Sequence, residues 1–227
     1  MGGSAMGIRS AGLKARRDLP ASYSISWELD LTRNQKAAIA LNLAGLPLFA
    51  LFGWVFLKAA ALLHPAIGTR LFVGQITPYP FIFFLIVFTV VVGTMIIHEA
   101  IHGAFFWLFT RSRPAFGMKL LFAYAGAPEW YLPRNQYALT GIAPFVFITL
   151  FGFVVIAVAP LAAGQLALFG ITTNAAGAVG DFYVSAKVML HSRDVLIRDT
   201  GVGFTLFSPG NTWNQSNESQ NQGRDLQ

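Results

Sequence analysis

The chain has no cysteine, which excludes disulfides and thiolate metal sites. Any bound metal would have to use histidine, carboxylate or backbone oxygen. Charge is scarce too: 11% of the 227 residues are charged and 55% are hydrophobic, more apolar surface than a soluble core can absorb. Residues 1–35 lack an apolar run, so no cleavable signal peptide is expected there. The opening "MGGSAM" lacks the Ser or Thr at position 6 of a myristoylation signal. The first apolar run is then both address and anchor.

Four such runs are present, at about 38–62, 79–109, 137–162 and 164–190. Each is long enough to cross a hydrocarbon core about 30 Å thick, which takes roughly 20 helical residues. The expected fold class is therefore an all-α membrane protein, with four transmembrane helices, small cytoplasmic β elements and a re-entrant segment between the second and third spans. Acidic residues number 10 against 16 basic ones, a net charge of +6 that placement explains without nucleic acid. Lys14, Arg16, Arg17, Arg33 and Lys36 precede the first span, and Arg111, Arg113, Lys119 and Arg134 lie between the second and third. Lys187, Arg193 and Arg198 come at or after the end of the fourth, whereas the 63–78 connection carries only Arg70. The positive-inside rule then predicts a multi-pass cell-membrane protein with both termini cytoplasmic and membrane lipid around it.

Within this frame, "YSISWELDL" alternates as a half-exposed strand, and Thr32 or Asn34 is placed to cap the first helix. "DVLIRDTGVGFTLF" reads as a small hairpin turning at Asp199-Thr200-Gly201. The segment 112–136, broken by glycine and proline, is expected to be a strand or re-entrant loop at the membrane surface. Three stretches follow: a flexible basic N-terminus over 1–17, a membrane domain over 18–207, and a disordered polar tail over 208–227. The run "FIFFLIVF" is expected to face lipid, and Pro144 to bend the third span.

The second run contains "TMIIHEAIHGAFF". His98 and His102, four residues apart on a helix, project from one face and can share a zinc ion, with Glu99 placed to take a proton from metal-activated water. Ionisable side chains inside an apolar helix are costly and usually functional. Catalytic zinc commonly takes three protein ligands, so one more is needed. Asp181 is the only ionisable side chain between Gly164 and Ala186, and Gly177 and Gly180 beside it would allow another helix to approach closely. The other candidates are His191, a weak one at the end of span four, His64 in the outer connection, and Asp194 and Asp199, which suit turn and strand-end roles.

The helix His98-Glu99-Ala100-Ile101-His102-Gly103, followed by "YAGAPEWYLPRNQYALTGIAPF", "GDFYVSAKVM" and "RDVLIRDTGVGF", resembles the zincin-type peptidases of the domain-of-unknown-function 3267 family over roughly residues 18–207. That family is itself similar to site-2 proteases, the intramembrane zinc metalloproteases. The resemblance implies a membrane zinc metalloprotease that hydrolyses peptide bonds of a peptide or transmembrane protein substrate. Zn²⁺ would be held by His98, His102 and Asp181, with Glu99 as catalytic base, near the cytoplasmic side. In site-2 proteases the third ligand is an Asp in an Asn-Pro…Leu-Asp-Gly motif. Here Asn174 stands seven residues before Asp181, the Pro is missing and Phe182 replaces the Gly, so Asn174 reads either as an orienting residue or as a helix-packing amide. The alternative is a non-catalytic membrane protein whose metal site is structural or carries ions.

Overall fold

A computed structural model describes residues 14–69, 79–118 and 123–210. Most of the basic N-terminal stretch, nearly all of the polar tail, Arg70 and Lys119 lie outside them. The chain begins with strand β1 (Tyr23–Asp30), as the alternation in "YSISWELD" requires. Helix α1 (Gln35–Leu63) follows, capped by Asn34, whose Oδ1 accepts from the Ala37 N–H at 3.0 Å. The short α2 (Pro65–Thr69) turns the chain toward α3 (Pro80–Thr110), which opens with Pro80 at its first position and stops where Arg111 takes a left-handed φ of 54°. Its 31 residues span about 46 Å, longer than a bilayer core, so the helix tilts or protrudes.

The 112–136 segment forms three short strands, β2 (Ala115–Met118), β3 (Ala123–Gly126) and β4 (Tyr131–Pro133). β2 and β3 pair with each other as an antiparallel ribbon. Helix α4 (Arg134–Val158) then runs through Pro144 without interruption.

The fourth apolar run is divided. It forms α5 (Leu161–Gly177) and α6 (Val179–Met189), which meet at Ala178 with φ −72° and ψ 8°. The 17 residues of α5 cover about 26 Å, just short of a hydrocarbon core. Among the described residues three helices, α1, α3 and α4, are long and apolar enough to cross a membrane, and they mark the chain as a membrane protein. Their exposed apolar side chains agree: Leu46 and Trp54 on α1, Phe81, Phe84 and Phe88 on α3, and Phe147, Leu150 and Phe151 on α4.

The expected hairpin is present as β5 (Leu196–Asp199) and β6 (Gly203–Pro209). Ser208 and Pro209 extend β6 past the predicted start of the tail, because they pair with Ser24 and Tyr23 of β1. The four-stranded sheet has the order β1-β6-β5-β4. It ties together the start of α1, the start of α4 and the end of α6. Two apolar clusters hold the molecule. Phe106, Leu132, Tyr137, Val188, Ile197 and Leu206 join the sheet to the helices, and Phe56, Ala60, Ile156, Ile171 and Ala175 join α1, α4 and α5 farther along.

Candidate metal centre

Two close approaches bring the elements of the site together. α4 lies close to α6 at Gly141, where a Cβ would meet the Ser185 hydroxyl, one turn past Asp181. Likewise a Cβ on Gly103 would strike the Phe116 ring, which seats the β2–β3 ribbon against α3 next to His102.

On this scaffold His98, His102 and Asp181 form the one group of metal-ligating side chains found among the described residues. His98 Nε2 lies 3.1 Å from His102 Nε2 and 3.1 Å from Asp181 Oδ2. The other Asp181 oxygen, Oδ1, is 3.3 Å from His102 Nε2. Ligands at about 2.0–2.1 Å from a tetrahedral zinc are separated by about 3.3–3.4 Å, so these edges match the size of a zinc site.

The protonation of the rings follows from their far sides. His98 Nδ1 donates to Asn174 Oδ1 at 2.9 Å, and His102 Nδ1 donates to the Thr140 carbonyl at 3.0 Å. Carbonyl oxygens only accept, so both Nδ1 atoms carry hydrogen and each ring turns Nε2 inward, the nitrogen a metal would take. The Asn174 amide is held in this sense by Nδ2, which donates to the Pro144 carbonyl at 3.4 Å. Two ring nitrogens and a carboxylate thus converge. One proton could bridge a single edge of the triangle, whereas a cation at its centre meets all three donors.

Glu99 lines the same cavity, as does Ala125 of β3. The cavity is about 200 Å³ and extends past Tyr137, Asp199 and the β5–β6 turn. Gly177 and Gly180 also line it, and a Cβ on either would meet nothing within 4 Å. These glycines therefore do not serve close helix packing, as the sequence pattern implied; they leave open space beside Asp181.

The competing ligands lie elsewhere. His64 caps the far end of α1, and His191 Nδ1 donates to the Lys187 carbonyl at 2.8 Å. Asp194 is exposed, its backbone carbonyl accepting from the Tyr23 hydroxyl. Asp199 keeps its expected turn role, its Oδ1 accepting from the Gly201 N–H at 2.6 Å, and it also takes the Tyr137 hydroxyl on Oδ2 at 2.6 Å. Burial raises the Asp199 pKa above the usual carboxylate range, against the Tyr137 and Gly201 hydrogen bonds that lower it.

Sequence reasoning left Asn174 open between two roles and gave Thr140 none. Asn174 does contact a site histidine. The signal for Thr140 was Pro144, four residues later: proline has no N–H, so it leaves a helical carbonyl without its donor.

Fold and site together define a helical membrane protein with a His/His/Asp group able to hold a metal. Residues 90–196, which carry all three of these side chains together with Glu99, Thr140 and Asn174, match the profile of the DUF3267 family, described as "putative zincin peptidase". Neither curated proteins nor solved structures gave a match to the chain.

Proposed function

We propose that this chain is an integral-membrane zinc metallopeptidase of the site-2 protease kind, with its site near the cytoplasmic side of the bilayer. The observation that carries the reading is the convergence of two histidine Nε2 atoms and a carboxylate, 3.1–3.3 Å apart, beside a glutamate in one cavity. His98, His102 and Asp181 would hold the metal, with Asn174 and the Thr140 carbonyl fixing the rings. Bound zinc supplies Lewis acidity, bringing the pKa of water down to about 7 and polarising a carbonyl. Glu99, which lines the same cavity, would take the proton from the attacking water and pass it to the leaving amine.

A peptide helix holds its carbonyls in its own hydrogen bonds, so a transmembrane segment would have to unwind before a scissile carbonyl could reach the metal. The β2–β3 ribbon beside Glu99 offers backbone groups with which an extended chain can pair. If proline substitutions in these strands left cleavage of a membrane substrate untouched, that pairing would be lost as an explanation.

The test is metal content and peptide-bond cleavage measured side by side on detergent-solubilised wild type and Glu99→Gln. The amide keeps the shape and removes the base, so zinc should stay stoichiometric while cleavage falls by about 10²-fold or more. Stoichiometric zinc in a wild type that cleaves nothing would favour the alternative, a non-catalytic membrane protein with a structural or ion-carrying site. Profiling soluble against membrane substrates with the same preparation separates an intramembrane enzyme from one that cuts peptides at the membrane surface.

A further inference from the structure

We infer that Pro144 is a positioning residue: by opening one turn of α4 it supplies the carbonyl that sets the orientation and tautomer of His102, and the same turn steadies His98. The inference rests on the metal-centre reading above, and it concerns residues that touch no substrate.

In an uninterrupted helix the Thr140 carbonyl would accept from the N–H of residue 144. That residue is Pro144, inside α4 and fully buried, and it has no N–H to give. A carbonyl buried in a membrane helix without its donor is costly, and such groups are re-satisfied by neighbouring helices. Here the neighbour is α3. His102 Nδ1 donates to the Thr140 oxygen at 3.0 Å, and His102 itself is 8% exposed, so water does not compete for the bond. With Nδ1 committed as donor, Nε2 is the nitrogen left to face His98 Nε2 and Asp181.

The second half of the device is one turn further along. The Pro144 carbonyl accepts from Asn174 Nδ2 at 3.4 Å, and Asn174 Oδ1 accepts from His98 Nδ1 at 2.9 Å. Both histidines are thus referred to one stretch of α4, through Thr140 directly and through Pro144 by way of Asn174. The proline forfeits a helical hydrogen bond at a buried position where a good helix former would fit, and the forfeited acceptor is the one that orients a histidine.

The experiment uses the full chain in detergent, with zinc dissociation constants from chelator competition and thermal unfolding of the metal-free protein. The variants are Pro144→Ala and Pro144→Gly; both restore the N–H, and glycine leaves the backbone free to keep any bend. Pro47→Ala restores an N–H inside α1, away from the site, and is the control. The restored N–H competes with His102 for the Thr140 oxygen, so both variants at 144 should bind zinc about tenfold more weakly or worse, the range seen when hydrogen-bond partners of metal ligands are removed. Metal-free Pro144→Ala should unfold no earlier than wild type, because a helical bond has been regained, and Pro47→Ala should bind zinc as wild type does.

Wild-type affinity in both 144 variants overturns the inference while leaving the zinc site intact. So does weakened binding in Pro144→Ala alone, which would make the bend and not the freed carbonyl the cause. Early unfolding of both metal-free 144 variants would assign Pro144 a purely structural role. Failure of the wild type itself to bind zinc overturns the metal-centre reading, and this inference with it.

Discussion

At the scale of residues, the group at 181 carries the greatest consequence, since it lies 83 positions from His98 and shares no element with it. Asp181→Ala should lower zinc affinity and abolish cleavage, and Asp181→Asn should also bind worse, because a neutral oxygen donates more weakly to Zn²⁺. Asp194→Ala and Asp199→Ala should leave zinc binding near wild type, which chelator competition on the four variants checks. Retained tight binding in Asp181→Ala would remove it from the site. Asp199→Ala should still cost about 1–3 kcal/mol of stability by leaving the buried Tyr137 hydroxyl without its acceptor. The pH dependence has a definite sign. With its folded pKa raised, Asp199 contributes stability that is full below the unfolded value of about 3.9 and is lost as pH rises through the folded value. Replacing it with Asn should flatten that slope in thermal unfolding at weakly acidic pH. His98, Glu99, His102 and Asp181, which the structure brings to one cavity, were legible in the sequence because ionisable groups within an apolar run are expensive and so announce themselves. Thr140 was not read, since its contribution is a backbone carbonyl: Pro144 marks that carbonyl as free but does not say which side chain takes it.

At the scale of elements, helix existence was read from apolar length, and the strands at 23–30 and 196–209 from alternation and turn chemistry. Alternation could not show that β1 pairs with β6, because a period of two fixes faces and not partners. The division of the last run at Ala178 was hidden for a related reason: hydropathy is blind to a single residue that leaves helical geometry. That break turns Gly177 and Gly180 toward the cavity. Gly177→Leu should then fill space beside Asp181 without touching a ligand. Zinc content should stay at wild type, and cleavage of a membrane substrate should fall about tenfold or more as the extended chain is excluded. Unchanged cleavage would show that substrate does not occupy this part of the cavity.

At the scale of the molecule, the sheet constrains the path through the membrane more tightly than helix length does. α1, α3 and α4 each meet the length and hydropathy expected of a span, and an odd number of crossings would leave the strands after α6 on the side opposite β1. Yet β6 is paired with β1 along seven positions and β5 with β4, and we propose that α5 and α6, 17 and 11 residues long, together bring the chain back. The basic residues gather at that same end, Arg33 and Lys36 before or at the start of α1, Arg111 and Arg113 after α3, and Arg134, Lys187 and Arg193 around α4 and α6. By the positive-inside rule this is the end we propose as cytoplasmic. Because the chain lacks cysteine, one introduced thiol reports one position without a background to remove. Ser192→Cys, exposed between α6 and β5, should react with a membrane-impermeant maleimide in inverted vesicles and not in intact cells. Thr69→Cys, exposed at the end of α2, should show the reverse. Reaction of both from outside would mean that α5 and α6 fail to return the chain, against the strand pairing, and the opposite labelling of the pair would place the His98–His102–Asp181 site near the outer face.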